Sequence, residues 1–255
     1  MIIKEIKAKQ ILTKSGIPSA DYVINSYVGC QHSCVWCYAR FMKRFTNHSE
    51  EWGSFVDVKI NAPEVLEKEL KKTKPKNIFL SSVTDCYQPI EQKYQITRQI
   101  LEILSGYDIP VSILTESILV LRDIDILKKF KDIEVGFTLV FDDDKINRLF
   151  QPYSSLPSQR IDALKKLKAA GVKNYVHLGS IMPKITDMES IFQKLSDNID
   201  SIMAETLNVK GENWIGVFRA LKEHFSELVK EYQYIFFKKD NFGEQKATLN
   251  KLRNI

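Results

Sequence analysis

Three cysteines fall within eight residues, Cys30, Cys34 and Cys37, in the run Tyr27-Val28-Gly29-Cys30-Gln31-His32-Ser33-Cys34-Val35-Trp36-Cys37-Tyr38. The C-x3-C-x2-C spacing puts three thiolates on one short loop, enough to hold three irons of a [4Fe–4S] cube. Such clusters are ordinarily tied by four cysteines, so a site built from three leaves one iron without a protein ligand. That open corner can bind a substrate or a cofactor. The spacing therefore predicts chemistry at the cluster and not mere passage of electrons through it. A structural zinc site would want four ligands, usually as C-x2-C pairs in two places. The one other cysteine is Cys86, with His32 or His48 available to complete a set. A non-catalytic zinc or electron-transfer module, with Cys86 as fourth ligand, is the competing reading.

The rest of the chain bounds the setting. Its 255 residues, 44% of them hydrophobic, suit one large domain with a substantial core and exclude disorder. The balance of 37 basic and 32 acidic residues gives a net charge of +5, too weak to establish nucleic-acid binding. Lysine pairs such as Lys71-Lys72 and Lys165-Lys166 read as solvated helix faces. Charge at Lys4 and Glu5 stands where a signal peptide would need an apolar stretch, and no apolar run approaches a membrane span. Four cysteines, three of them clustered, do not make a secreted disulfide framework. The expected compartment is a reducing cytoplasm.

Short apolar stretches alternate with segments of helical period. Ile78 to Leu80, Val111 to Leu114, Val135 to Val140 and Tyr175 to Leu178 read as buried parallel strands, with others near Tyr22 to Asn25 and Ser201 to Val209. Between them, Pro63 opens a helix with Leu66 and Leu70 on one face. Ile96, Ile100, Ile103 and Leu104 form another stripe. Ser158 is placed to cap a helix ending at Gly171, and Thr186-Asp187-Met188-Glu189 has the form of a capping box. Trp214 to Tyr232 reads as one long amphipathic helix. The alternation predicts right-handed βαβ units in an α/β fold. About six units suit an open, partial (β/α)6 TIM-like barrel, with a doubly wound sheet as the alternative. In barrel folds the active site gathers at the C-terminal strand ends. The cysteine loop follows the first strand and belongs on that face. Residues 1–237 read as a single domain and residues 238–255 as a polar tail.

The cysteine run resembles the signature of the radical S-adenosylmethionine (SAM) superfamily. Further patches are similar to its spore photoproduct lyase or DNA-repair-photolyase-like branch. They include Asn25 to Cys30, Ser82-Val83-Thr84-Asp85, Tyr87-Gln88-Pro89-Ile90-Glu91, Thr97-Arg98, Leu121-Arg122-Asp123, Gln159-Arg160-Ile161 and Ile181-Met182-Pro183. The resemblance implies a radical SAM core, a [4Fe–4S] cluster on the three cysteines, and SAM chelated at the open iron. Reductive cleavage of SAM would give a 5′-deoxyadenosyl radical that abstracts hydrogen from substrate. An electron donor such as flavodoxin or ferredoxin is implied as a partner. The substrate is left open between a nucleic acid and a small molecule or peptide.

The same resemblance distributes roles. Ser82 and Thr84 end the second strand, where the superfamily holds SAM's amino group, and Asp85 would strengthen that bond. These three residues are equally suited to capping the turn. Tyr38 falls where an aromatic lies beside adenine, Thr138 where the ribose is reached, and Ile181-Met182 where side chains pack on adenine, with ordinary core the equal alternative for that pair. Arg160 would bind a carboxylate or a helix end. His177 alternates with apolar residues and is either a buried structural histidine or a site residue.

Three departures stand out. Relatives commonly carry Asp-Pro-Tyr where this chain has Asp85-Cys86-Tyr87, so Cys86 is a candidate hydrogen donor, extra ligand or compact core residue. They carry Thr-Lys-Ser, its lysine suited to SAM's carboxylate, at Thr115-Glu116-Ser117; with the charge reversed, either another cation serves in this cofactor-binding position or Glu116 faces a different substrate. They carry glutamate where this chain has Gln151. Spore photoproduct lyase uses a donor cysteine at the position that matches Ser82.

Overall fold

The computed structural model describes residues 1–209 and 213–237; the tail expected over 238–255 lies outside them. Six strands run parallel and pair side by side in chain order. They are β1 (Tyr22–Ile24), β2 (Ile78–Leu80), β3 (Val111–Thr115), β4 (Ile133–Thr138), β5 (Lys173–Ile181) and β6 (Ser201–Thr206). A doubly wound sheet reverses its strand order at a switch point. No reversal occurs here, so the sheet is the partial barrel. Leu12–Lys14 adds antiparallel outside β1, and β6 forms the other edge.

The inner strands are buried, while the edge strand β6 is partly exposed. Ile24, Leu80, Ile113, Val135, Phe137, Val176 and Leu178 are buried between strands and helices. The helices Ala62–Leu70, Ile96–Leu104, Pro157–Ala169 and Met188–Leu195 contribute Leu66, Ile100, Leu104, Leu164, Leu167 and Ile191 to the same core. Truncating one such residue to alanine costs about 2–5 kcal/mol.

The expected helix signals hold at some ends and fail at others. Gly171 ends its helix at φ +77° as expected. Ser158 does not cap that helix. Pro157 occupies the first turn, Gln159 Oε1 accepts from the Leu156 N–H (2.9 Å), and Ser158 instead donates to Asp144 Oδ2 (2.7 Å). Before Met188, Asp187 does the capping, its carboxylate accepting from the Ser190 N–H (3.0 Å), while Thr186 Oγ1 accepts from the Met182 N–H (2.9 Å). The expected helix over Trp214 to Tyr232 is two helices, Asn213–His224 and Val229–Phe237. The chain leaves helical geometry at Phe225, whose ring stacks on Phe150 at 5.9 Å, so packing onto a second hydrophobic core overrides the helical period.

A second, three-stranded sheet was not foreseen. Ile2–Ile6 pairs parallel with Phe55–Lys59, which pairs antiparallel with Tyr27–Val28. Its two-residue strand runs straight into the cysteine loop through Gly29. Gly29 has φ +88°, and a Cβ there would lie 2.3 Å from the Phe55 carbonyl oxygen. Only glycine fits that turn.

Candidate active site

The cysteine loop is braced from the β2 end. Thr84 Oγ1 donates to the Gly29 carbonyl (2.6 Å) and accepts from Gln88 Nε2 (3.0 Å). The Gln31 N–H donates to Gln88 Oε1 (2.9 Å), and the Ile90 N–H donates to Gln31 Oε1 (2.5 Å). Farther back, Tyr87 donates to Asp123 (3.1 Å), Arg98 to Asp123 (2.8 Å) and Arg122 to Glu91 (2.8 Å). Several of the family-like patches are thus the frame that fixes this turn. Beyond the loop, His48 stacks on Phe55 at 3.9 Å and bridges Glu50 and Asp57, each at 2.9 Å.

Cys30, Cys34 and Cys37 are all free thiols and line one cavity. The other walls are the C-terminal strand ends: Ser82, Thr84 and Asp85 after β2, Glu116 after β3, Thr138 on β4, His177, Gly179 and Ser180 on β5, and Glu205 on β6. Among the described residues, no three His, Cys, Asp or Glu side chains converge as they would around a single ion. Sulfurs on one tetrahedral zinc stand about 3.8 Å apart, given Zn–S of ~2.3 Å. Three free thiols on one loop are the donor type that iron–sulfur clusters use.

Burial pushes the Cys37 thiol up to about 12, and the neighbouring Cys30 adds to it. Burial, then Glu116 and the other two cysteines, hold Cys34 well above the ordinary thiol range. Thiolates on this wall need positive charge beside them, which iron supplies. The donor set therefore fits an iron–sulfur cluster.

Behind the loop lies a polar layer. His32 is buried with Nδ1 3.3 Å from Asp85 Oδ2 and 3.7 Å from Glu116 Oε2, an ion-pair approach without hydrogen-bond alignment. Burial alone would lower its pKa, but Asp85 and Cys30 outweigh burial and raise it well above the ordinary value. Asp85 conversely stays below the usual carboxylate range despite burial, chiefly through His32. Its oxygens accept from the Tyr87 N–H (2.8 Å), Thr115 Oγ1 (2.7 Å) and the Glu116 N–H (2.7 Å). Asp85 thus ties the β2 end to the β3 end.

Glu116 closes the layer. The Cys34 thiol donates to its Oε2 (2.9 Å), and Gln151 Nε2 donates to its Oε1 (2.5 Å). Gln151 Oε1 in turn accepts from Arg160 Nη1 (3.2 Å), which also donates to the Thr138 carbonyl (2.6 Å). The two departures at Glu116 and Gln151 are therefore in contact. A glutamate thus meets a neutral amide donor at this point of the layer.

The remaining expected residues divide. Tyr38 lines the cavity, 56% exposed, and its hydroxyl donates to the Ser82 carbonyl. Arg160 is fully buried behind the wall, and Met182 is packed in a second core with Trp36, Phe141 and Phe150. Cys86 is fully buried in the main core, with Thr97 Oγ1 donating to its carbonyl (2.7 Å). None of these last three is among the residues lining the cavity. The sequence offers His32 only as a possible fourth zinc ligand and does not mark Gln88, Gly179 or Glu205 as site residues. Gln88 and His32 lie inside the quoted motifs, but nothing in the pattern around Glu205 separates it from a solvated strand edge.

A family model of the radical SAM superfamily matches residues 24–195. An uncharacterised protein of Methanocaldococcus jannaschii is 42% identical over 82% of this chain and 78% of its own length. An uncharacterised protein of Mycobacterium tuberculosis is 27% identical over 91% and 73%. Among solved structures, a spore photoproduct lyase mutant superposes with a TM-score of 0.65 at 14% identity, covering 92% of this chain and 79% of that one. Streptococcus suis SuiB bound to S-adenosylmethionine gives 0.53 at 16% identity, covering 83% and 44%. Those likenesses are of fold. With the family match running over most of its length and through the cysteine loop at the strand ends, the chain belongs to the radical SAM superfamily.

Proposed function

We propose that this radical SAM enzyme holds a [4Fe–4S] cluster on Cys30, Cys34 and Cys37 and binds SAM in the adjoining cavity. The observation that carries the reading is the placement of three free cysteines on one wall of a cavity whose other walls are strand ends. When bound, the reduced cluster and SAM supply one electron to the sulfonium and a 5′-deoxyadenosyl radical that takes hydrogen from substrate. The protein's own residues hold, orient and shield. Thr84, Gln88 and Gln31 fix the loop against the β2 end. Thr84 Oγ1, having donated to Gly29 and accepted from Gln88, keeps one lone pair for SAM's ammonium. Ser82 presents its hydroxyl oxygen on the same wall, where it also accepts from Asn25 Nδ2 (3.1 Å). Asp85 and Glu116 carry negative charge behind the cysteines, offset by His32.

No helix among the described residues is long and apolar enough to cross a membrane. A small electron-transfer protein such as a flavodoxin or ferredoxin is the proposed reductant, in a reducing cytoplasm. The test is anaerobic reduction with SAM present. Release of 5′-deoxyadenosine, abolished by Cys30→Ala, Cys34→Ala or Cys37→Ala, is the expected result. SAM left intact by an iron-loaded, reduced sample would overturn the reading.

A further inference from the structure

One buried donor beside the cysteine loop is left without a partner. Trp52 is 8% exposed and packs with Cys30, Ala39 and Phe55, against Cys37 and Met42. Its indole N–H is buried and makes no aligned hydrogen bond. An indole nitrogen donates and cannot accept, so a buried one is costly unless some group takes its proton in a hydrogen bond. The group beside it is the Cys37 sulfur. Burial and Cys30 raise the Cys37 pKa, while the Ala39 N–H and the Trp52 indole act against them. A neutral thiol is a weak acceptor and an ionised one a strong acceptor. Trp52 therefore faces a poor acceptor while Cys37 keeps its proton, and a good one once Cys37 ligates iron.

The turn that carries Trp52 is clamped to the loop itself. Ser33, between Cys30 and Cys34, takes a left-handed φ of +56°, which a non-glycine residue adopts at a cost. Its hydroxyl donates to the Gly53 carbonyl (3.2 Å). Gly53 has φ +97°, and a Cβ there would fall 2.0 Å from Ser33 Oγ, so the turn closes on the serine with no side chain between them. On its other side the Trp52 ring meets Phe55 edge-on at 5.9 Å. A strained serine, a glycine and an edge-on ring together fix one indole. Packing alone would be served by phenylalanine, which brings no unpaired donor. Hydrogen bonds to the sulfurs are among the levers that set the potential of an iron–sulfur cluster. When the reductant gives up one electron and the cluster takes it, negative charge on the thiolates grows, and a donor aimed at one of them favours the reduced state.

We propose that Trp52, held in place by Ser33 and Gly53, donates its indole N–H to the Cys37 thiolate of the loaded cluster and raises the cluster's reduction potential. The inference rests on the cluster reading above. The test is a redox titration of anaerobically reconstituted protein with dithionite and mediators, followed by the paramagnetic signal of the reduced cluster. It compares wild type, Trp52→Phe, Ser33→Ala and the double variant. Trp52→Phe keeps a ring and removes the N–H. It should disfavour reduction about tenfold, a midpoint lower by about 59 mV for one electron, with iron content unchanged. Ser33→Ala should lower the midpoint by less, and by nothing further in the Trp52→Phe background, because it acts through the indole. An equal or higher midpoint in iron-loaded Trp52→Phe would overturn the assignment, as would a Ser33→Ala shift that persists without the indole. If Trp52→Phe takes up no iron, Ser33→Ala decides alone, and an unchanged midpoint there refutes the role. A wild-type chain that loads no iron would overturn the cluster reading, and this inference with it.

Discussion

The contact between Glu116 and Gln151 gives a sharp test of how the layer behind the cluster is balanced. Gln151→Glu replaces an amide donor, 2.5 Å from Glu116 Oε1 in a fully buried position, with a second carboxylate. The charge-assisted hydrogen bond that is lost contributes about 1.5–3 kcal/mol. The repulsion that replaces it is about 4 kcal/mol for two charges ~4 Å apart at an effective dielectric of ~20. Protonating one carboxyl instead, at pH 7 against an ordinary glutamate pKa of ~4.3, costs about 3.7 kcal/mol. Either route sets a similar ceiling. Arg160, already donating to Gln151 Oε1 at 3.2 Å, offsets part of it by pairing with the new charge. The expected loss is about 2–4 kcal/mol at pH 7, read as a lower urea midpoint of the cluster-free protein. The shared proton raises the folded-state pKa, so the deficit should shrink as pH falls toward the unfolded value of ~4.3. Glu116→Lys in the Gln151→Glu background should recover at least half of the loss by restoring opposite charges. A Gln151→Glu protein within 0.5 kcal/mol of wild type, or a double variant with no recovery, refutes the reasoning.

Other consequences are simpler to read. Gly29→Ala should lower iron uptake on reconstitution, because the added Cβ meets the Phe55 carbonyl at 2.3 Å and the loop must shift; normal iron content would show that the loop tolerates the change. Cys86→Ala should keep both the cluster and 5′-deoxyadenosine release, since its thiol is fully buried in the main core. Loss of iron there would make it a ligand, and continued deoxyadenosine formation with lost product would make it the hydrogen donor. Cluster-free protein should lose stability as pH rises from about 9 toward about 12. The folded-state pKa of Cys37 is raised, so its contribution is present below the unfolded value and lost above it. Cys37→Ser should flatten part of that fall in urea unfolding at pH 7 and pH 10.

Much of the scaffold was legible because parallel strands covered on both sides write themselves as short apolar runs. Ile78 to Leu80 was read to the residue, and the other five parallel strands within a few. The three-stranded sheet was not, since Ile2–Ile6 is an exposed edge and Tyr27–Val28 is too short to show a pattern. The long helix expected near the C-terminus failed at Phe225, where tertiary packing on Phe150 decides the backbone. The cysteine triad was legible because its chemistry lies in spacing along one loop. Glu116 and Gln151 were visible as separate departures, but their contact joins positions 35 residues apart and needed the fold. Glu205 was invisible, because what marks it is a slipped register between β5 and β6, which a strand's sequence does not announce.

The central claim is an iron–sulfur cube with one iron left open for SAM. Electron paramagnetic resonance of the anaerobically reconstituted, reduced protein, before and after SAM is added, tests it most directly. About four irons per chain, with a reduced-cluster signal that changes on SAM addition and is lost in Cys34→Ala, is the predicted result. A chain that takes up only zinc, or a cluster whose signal is indifferent to SAM, would contradict the account.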